Sequence, residues 1–162
     1  MAKPLIMVVD DEKEFADELS KSIKLTGKYE VETAYSAQQA LELLHKNKGI
    51  FGIFKNRVRC ILLDIKMPEM DGLQFLEQIR REYEGKIAVI MVTAYEDEEK
   101  WEKATSGLVA GYITKPLDKE KLLARLDKLF SSEDAKYEMI GSTLVQGFEK
   151  REQHRPKDES NP

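Results

Sequence analysis

The stretch Cys60-Ile-Leu-Leu-Asp64-Ile-Lys-Met-Pro68-Glu-Met-Asp71-Gly72 decides the fold. Its first four residues are apolar without a break, the pattern of a strand buried on both faces of a parallel sheet. An aspartate ends the run, Met-Pro turns the chain, and Asp71-Gly72 opens a helical stretch that aligns Leu73, Leu76 and Ile79. Buried strand, acidic end, turn and amphipathic helix together make one unit of an alternating α/β fold.

The same unit recurs on either side. Leu5 to Val9 is an apolar run that ends in Asp10-Asp11. Residues 12–26 place Phe15, Leu19, Ile23 and Thr26 on one helical face before Gly27. Tyr29 to Ala34 reads as a second strand. Ser36-Ala-Gln-Gln39 has the form of a capping box, and it opens a helix with Ala40, Leu41 and Leu44 inward. Ile87 to Val92 is another apolar strand. A charged helix with Trp101 spans 96–105, and Gly111 to Thr114 is a short fifth strand. Asp118 caps a last core helix that aligns Leu122, Leu123, Leu126, Leu129 and Phe130.

Five strands alternating with helices predict a parallel sheet covered on both faces. Ligands in such sheets bind beyond the carboxyl ends of the strands. Those ends carry Asp10 and Asp11, Asp64, Thr93 and Lys115. Two unit charges about 4 Å apart repel by roughly 4 kcal/mol at an effective dielectric near 20. A divalent cation relieves that repulsion, and hard oxygen ligands with room for waters suit Mg²⁺. A carboxylate oxygen of Asp64 can then attack phosphorus and form an acyl phosphate. The Thr93 hydroxyl and the Lys115 ammonium are placed to bond phosphate oxygens.

Composition narrows the function classes. The chain has 162 residues, 41% of them hydrophobic and 35% charged, with a net charge of −4. That balance provides no global basic field for nucleic acid or for anionic membrane. No apolar stretch is long enough to span a bilayer, and no signal peptide is apparent, so a reducing cytoplasm is expected. The single cysteine, Cys60, reads as a small buried hydrophobe. Residues 45–59 form a long connection that mixes bases with Ile50, Phe51, Ile53 and Phe54. Residues 131–162 form a tail. Within it 137–148 has helical spacing weakened by Gly141 and Gly147, and a disordered polar end is expected from Glu149.

The runs VVDDE, LLDIKMPEMDG, VTAY and GYITKP stand in the order and spacing of the response-regulator receiver family of two-component signalling, which this chain resembles over residues 4–130. The resemblance implies a flavodoxin-like three-layer sandwich whose five-stranded parallel sheet has the order 2-1-3-4-5; a family member is the standard example of that order. It implies that Asp64 is the phospho-acceptor and that Asp10, Asp11 and Asp64 hold Mg²⁺ with the backbone carbonyl of Lys66. Thr93 and Lys115 read the phosphate, and Thr93 and Tyr112 form the switch. The implied partners are a histidine kinase or phosphotransfer protein and a downstream protein target, with a phosphorylation-dependent dimer left open. The activity expected is that of a regulatory domain, limited to its own phosphorylation and dephosphorylation. A phosphohydrolase with an aspartyl-phosphate intermediate is the enzymatic alternative. Such enzymes commonly use a carboxylate two residues after the nucleophile, and Lys66 stands there. A scaffold that keeps only the fold is the third reading, and the complete set of acids, hydroxyl and lysine argues against it.

Overall fold

The computed structural model describes residues 2–49, 56–94 and 98–154. Their order is β1 (Leu5–Val9), α1 (Lys13–Leu25), β2 (Glu30–Ala34), α2 (Ala37–Lys46), β3 (Val58–Leu63), α3 (Gly72–Tyr83), β4 (Ala88–Thr93), α4 (Glu98–Ser106), β5 (Gly111–Thr114), α5 (Lys119–Leu129) and α6 (Ala135–His154). The strands form one parallel sheet of order β2-β1-β3-β4-β5, the flavodoxin-like topology expected.

Strand side chains alternate between two faces, so each apolar run feeds two cores. Leu5, Met7, Val9, Ile61, Leu63, Val89 and Met91 pack with Leu44 of α2, Phe75 and Ile79 of α3 and Ala104 of α4. Ile6, Val8, Cys60, Leu62, Ile90 and Val92 face the other way, onto Leu19 and Ile23 of α1 and Leu122 and Leu126 of α5. Cys60 is wholly buried, and desolvation pushes its thiol up to about 12, as suits an inert core residue.

Helix entry differs from expectation in one place. Ser36 caps α2 by accepting from the Gln39 amide at 3.1 Å, but Gln39 Oε1 accepts from Tyr35 N rather than from the cap residue. The complete capping box is at α3. There Asp71 accepts from the Gln74 amide, and Gln74 accepts from the Asp71 amide. The long 45–59 connection returns to its start, because Arg57 N donates to Asn47 O at 3.2 Å. Its apolar residues Ile50, Phe51, Ile53 and Phe54 lie outside the described residues, as does Glu96, the expected start of the charged helix.

The tail departs most. A helix over 137–148 followed by disorder from Glu149 was expected, whereas α6 runs from Ala135 to His154. Residues 155–162 lie outside the described residues. The reason is tertiary. α6 docks on α4, α5 and β5, and it buries Ala135, Met139, Thr143 and Gly147 at four-residue spacing. Packing of one face offsets the weak helix propensity of glycine, which is about 1 kcal/mol per residue. Among the described residues no helix is long and apolar enough to cross a membrane.

Candidate phosphorylation site

Each strand delivers its last side chain to the same edge of the sheet. Asp10 N donates to Ala34 O and Asp64 N donates to Val9 O, so the ladders continue one residue past β1 and β3. Thr93 ends β4 opposite Thr114 of β5, and Lys115 N donates to Thr93 O at 2.8 Å. This backbone pairing, rather than side-chain preference, brings residues about a hundred positions apart into one crevice.

Asp10, Asp11 and Asp64 each offer a carboxylate oxygen there, all within 4.8 Å of one another. Asp10 and Asp64 are buried, and Asp11 is the more open to solvent. Lys115 Nζ lies 2.7 Å from Asp10 Oδ2 and 3.0 Å from Glu12 Oε1. It also sits 4.1 Å from the centroid of the Phe15 ring. Thr93 is fully buried and its hydroxyl hydrogen-bonds the Asp64 carboxylate.

The electrostatics follow from burial. Desolvation and then the charge of Asp10 push Asp64 up to about 6, although Lys115, Thr93 and the Ile65 amide pull it down. Asp10 is also raised, by desolvation first, against the pull of Lys115 and the Glu12 amide. Burial pulls Lys115 down, but its hydrogen bonds to Asp10 and Glu12 and the charges of Asp64 and Asp10 outweigh that and leave it raised. Near neutral pH Asp64 is therefore mainly ionised and Lys115 is charged. Among the described residues the site holds a buried carboxylate at Asp64, an excess of negative charge and the Lys115 ammonium. Oxygen donors only, converging and incompletely neutralised, fit a hard divalent cation.

The profile of the response regulator receiver domain matches residues 6–127. The chain belongs to that family. This receiver domain is similar to a response regulator receiver protein from Pseudomonas putida, with 26% identity and a TM-score of 0.70 over 79% of this chain and 98% of that one. It is similar also to the chemotaxis protein CheY4 of Vibrio cholerae, with 28% identity and a TM-score of 0.68 over 80% and 100% of the two chains. A CheY-like receiver protein from Methanospirillum hungatei shares 26% identity and a TM-score of 0.66 over 90% and 99%. Receiver domains are phospho-accepting regulatory modules of two-component response regulators, and they act as phosphorylation-dependent switches.

The structure of this receiver brings together Asp10, Asp11, Asp64, Thr93 and Lys115. Lys66 stands in the turn two residues beyond Asp64, with its side chain exposed. Tyr112 is half-buried in β5 beside Met91, and its ring stacks on Trp101 at 5.3 Å between centroids and 22° between planes. It is thus held between the sheet and α4 rather than simply turned to solvent.

Three neighbours of the site escaped the sequence reading. Glu12 and Phe15 hold Lys115 from the far side, and their only sequence signal is proximity to Asp10 and Asp11. Gly72 is the third. A Cβ there would lie 2.0 Å from the backbone oxygen of Asp64, and the Gly72 amide donates to Ile65 O at 2.7 Å. The constraint is backbone against backbone, so no rotamer relieves it. Gly72→Ala is expected to destabilise the protein by about 1–3 kcal/mol, the usual range for overpacking, and to slow phosphorylation by shifting Asp64. Urea denaturation alongside a rate measurement with acetyl phosphate checks this; a variant with wild-type values in both would refute the constraint.

Proposed function

We propose that this receiver takes a phosphoryl group on Asp64, from a histidine kinase or phosphotransfer protein and with Mg²⁺, and then changes its protein-binding surface. The observation that carries the reading is the convergence of three carboxylates within 4.8 Å beside the Lys115 ammonium and the Thr93 hydroxyl. Asp10, Asp11 and Asp64 would hold the ion with the Lys66 carbonyl. Bound there, a divalent cation supplies charge neutralisation between an anionic nucleophile and an anionic phosphoryl group.

An Asp64 oxygen attacks phosphorus in line with the leaving group. The new bond is an acyl phosphate, and the bond that breaks is phosphorus to the donor's nitrogen or oxygen. With its pKa at about 6, Asp64 is mostly ionised at neutral pH and needs no general base. The transferred group adds acceptor oxygens and charge. Thr93 can exchange its carboxylate bond for a phosphate oxygen, and Lys115 can turn from Asp10 toward the phosphate. Thr93 and Tyr112 are the switch pair, and the face formed by α4, β5 and α5 is the output surface. A downstream protein reads that surface.

The test is incubation with acetyl phosphate and Mg²⁺ followed by mapping of the modification. A single acyl phosphate on Asp64 is expected, absent from Asp64→Asn and absent in excess EDTA. Label that survives either treatment contradicts the assignment of acceptor or of ion.

A further inference from the structure

α6 lies on the face that the switch pair would remodel. It contacts α4, β5 and α5, and its docked ridge is Ala135, Met139, Thr143 and Gly147. Three of those four side chains are small or absent. The tightest point is Gly147, where a Cβ would come within 2.6 Å of the Trp101 ring and 3.4 Å of Thr105. Trp101 in turn stacks on Tyr112. One more ion pair, Arg151 with Glu102 at 3.0 Å, is about half exposed on both sides and contributes little. The large apolar side chains Tyr137, Val145 and Phe148 point away, being 66%, 55% and 60% exposed. Met139 is the one large side chain of α6 in the core, with Ile140 packed beside it, and the rest of the helix is seated by close fit, which places its C-terminal half among the more weakly held parts of the fold.

We propose that α6 is the resident occupant of the α4–β5–α5 face and that phosphorylation of Asp64 releases it, opening the face to a partner helix. The proposal rests on the phospho-switch reading. Thr93 moves toward the phosphate, Tyr112 follows, and the Trp101 ring stacked on Tyr112 loses the position that Gly147 fits. The vacated face suits an amphipathic helix of similar make, with small residues every four positions, a glycine against the edge of Trp101 and bases beside the Trp101 ring and Glu102. Release and phosphoryl-mimic binding are linked by one coupling free energy. A change that undocks α6 must tighten binding of the mimic by the factor with which the mimic loosens α6, typically about 5- to 150-fold.

The test follows amide hydrogen exchange of the full chain with and without beryllofluoride and Mg²⁺, with bound fluoride detected by fluorine NMR. Residues 137–152 are expected to exchange roughly tenfold faster or more in the bound form, within the usual range of such couplings, while α1 is unchanged. Bound fluoride with α6 protection unchanged or increased overturns the release and leaves the phospho-switch standing. No bound fluoride removes the phospho-switch reading and the proposal together. Gly147→Leu supplies an independent arm. It is expected to expose α6 in the absence of the mimic and to tighten beryllofluoride binding, whereas Gly141→Ala, where an added Cβ meets nothing within 4 Å and only helix propensity rises, neither exposes α6 nor tightens binding. Undocked α6 with unaltered or weaker beryllofluoride affinity overturns the coupling.

Discussion

Replacing Asp64 by asparagine is expected to make the metal-free protein more stable at neutral pH while abolishing phosphorylation. Asp64 carries its charge at a disadvantage in the fold. Burial and the neighbouring Asp10 push its pKa from 3.8 to about 6, a difference equivalent to roughly 3 kcal/mol. The amide has the same shape, can still accept from Thr93, and removes the repulsion on Asp10. We expect a gain of about 1–3 kcal/mol at pH 7.5, discounted from that ceiling because amide burial has its own cost. The pH dependence has a definite sign. The folded protein takes up the Asp64 proton below about pH 6, and the unfolded chain takes it up only near 3.8, so wild-type stability rises relative to the variant as pH falls through that window. Urea denaturation at pH 7.5 and pH 4.5, with and without Mg²⁺, measures it. The advantage of Asp64→Asn should shrink at low pH and on adding Mg²⁺, the ion proposed for the wild-type cluster. A variant less stable than wild type in EDTA at pH 7.5, or a gap indifferent to pH, contradicts this account of the site.

The opposite change is expected for Lys115→Met, a loss of about 3–5 kcal/mol at pH 7.5 without Mg²⁺. Lys115 and Asp10 form a buried pair 2.7 Å apart, with side chains only 11% and 3% exposed. Methionine keeps the aliphatic stem against Phe15 but leaves the buried Asp10 carboxyl close to Asp64 without its cation. Breaking one half of such a pair removes the attraction while the desolvation penalty of the other half stays. Lys115 is one of the few influences that lower Asp10, so its loss raises that carboxyl further. The destabilisation is therefore present above the raised Asp10 pKa and fades as pH falls and Asp10 takes up its proton. Mg²⁺ should recover part of the loss, because the cluster then has another cation. Denaturation curves across pH 4.5–8 in EDTA and in Mg²⁺ test this. A loss that is constant in pH and indifferent to Mg²⁺ would assign Lys115 a packing role instead.

The two variants move stability in opposite directions because, among the described residues, Asp10, Asp11, Asp64 and the rim carboxylate Glu12 outnumber the Lys115 ammonium. That imbalance suits a site that must attract a cation and then accept an anion.

Much of this was legible from the chain as a string of residues. Apolar runs at 5–9, 60–63 and 87–92 report strands buried on both faces, because only a two-sided environment makes alternation unnecessary. Asp10, Asp11, Asp64, Thr93 and Lys115 follow those runs or the short fifth strand, and strand ends in a parallel sheet share one edge. Order and spacing of these runs led to the receiver family, and the family match and the sheet order agree with that reading. What stayed hidden depends on contacts between distant segments. Gly72 looks like a helix start and is fixed by the Asp64 carbonyl; Gly147 looks like a helix breaker and is fixed by the Trp101 ring. The pairing of Lys115 with Glu12 joins residues with no local pattern in common. The extent of α6 follows from the surface beneath it, since propensity weighs each glycine alone while docking weighs the whole face. Local periodicity thus set the strands, the helices and the edge where the acids meet. Tertiary packing decided the charge state of Asp64, the fit of its glycine neighbour and the helix that covers the α4–β5–α5 face, because each of these depends on burial that no single segment contains.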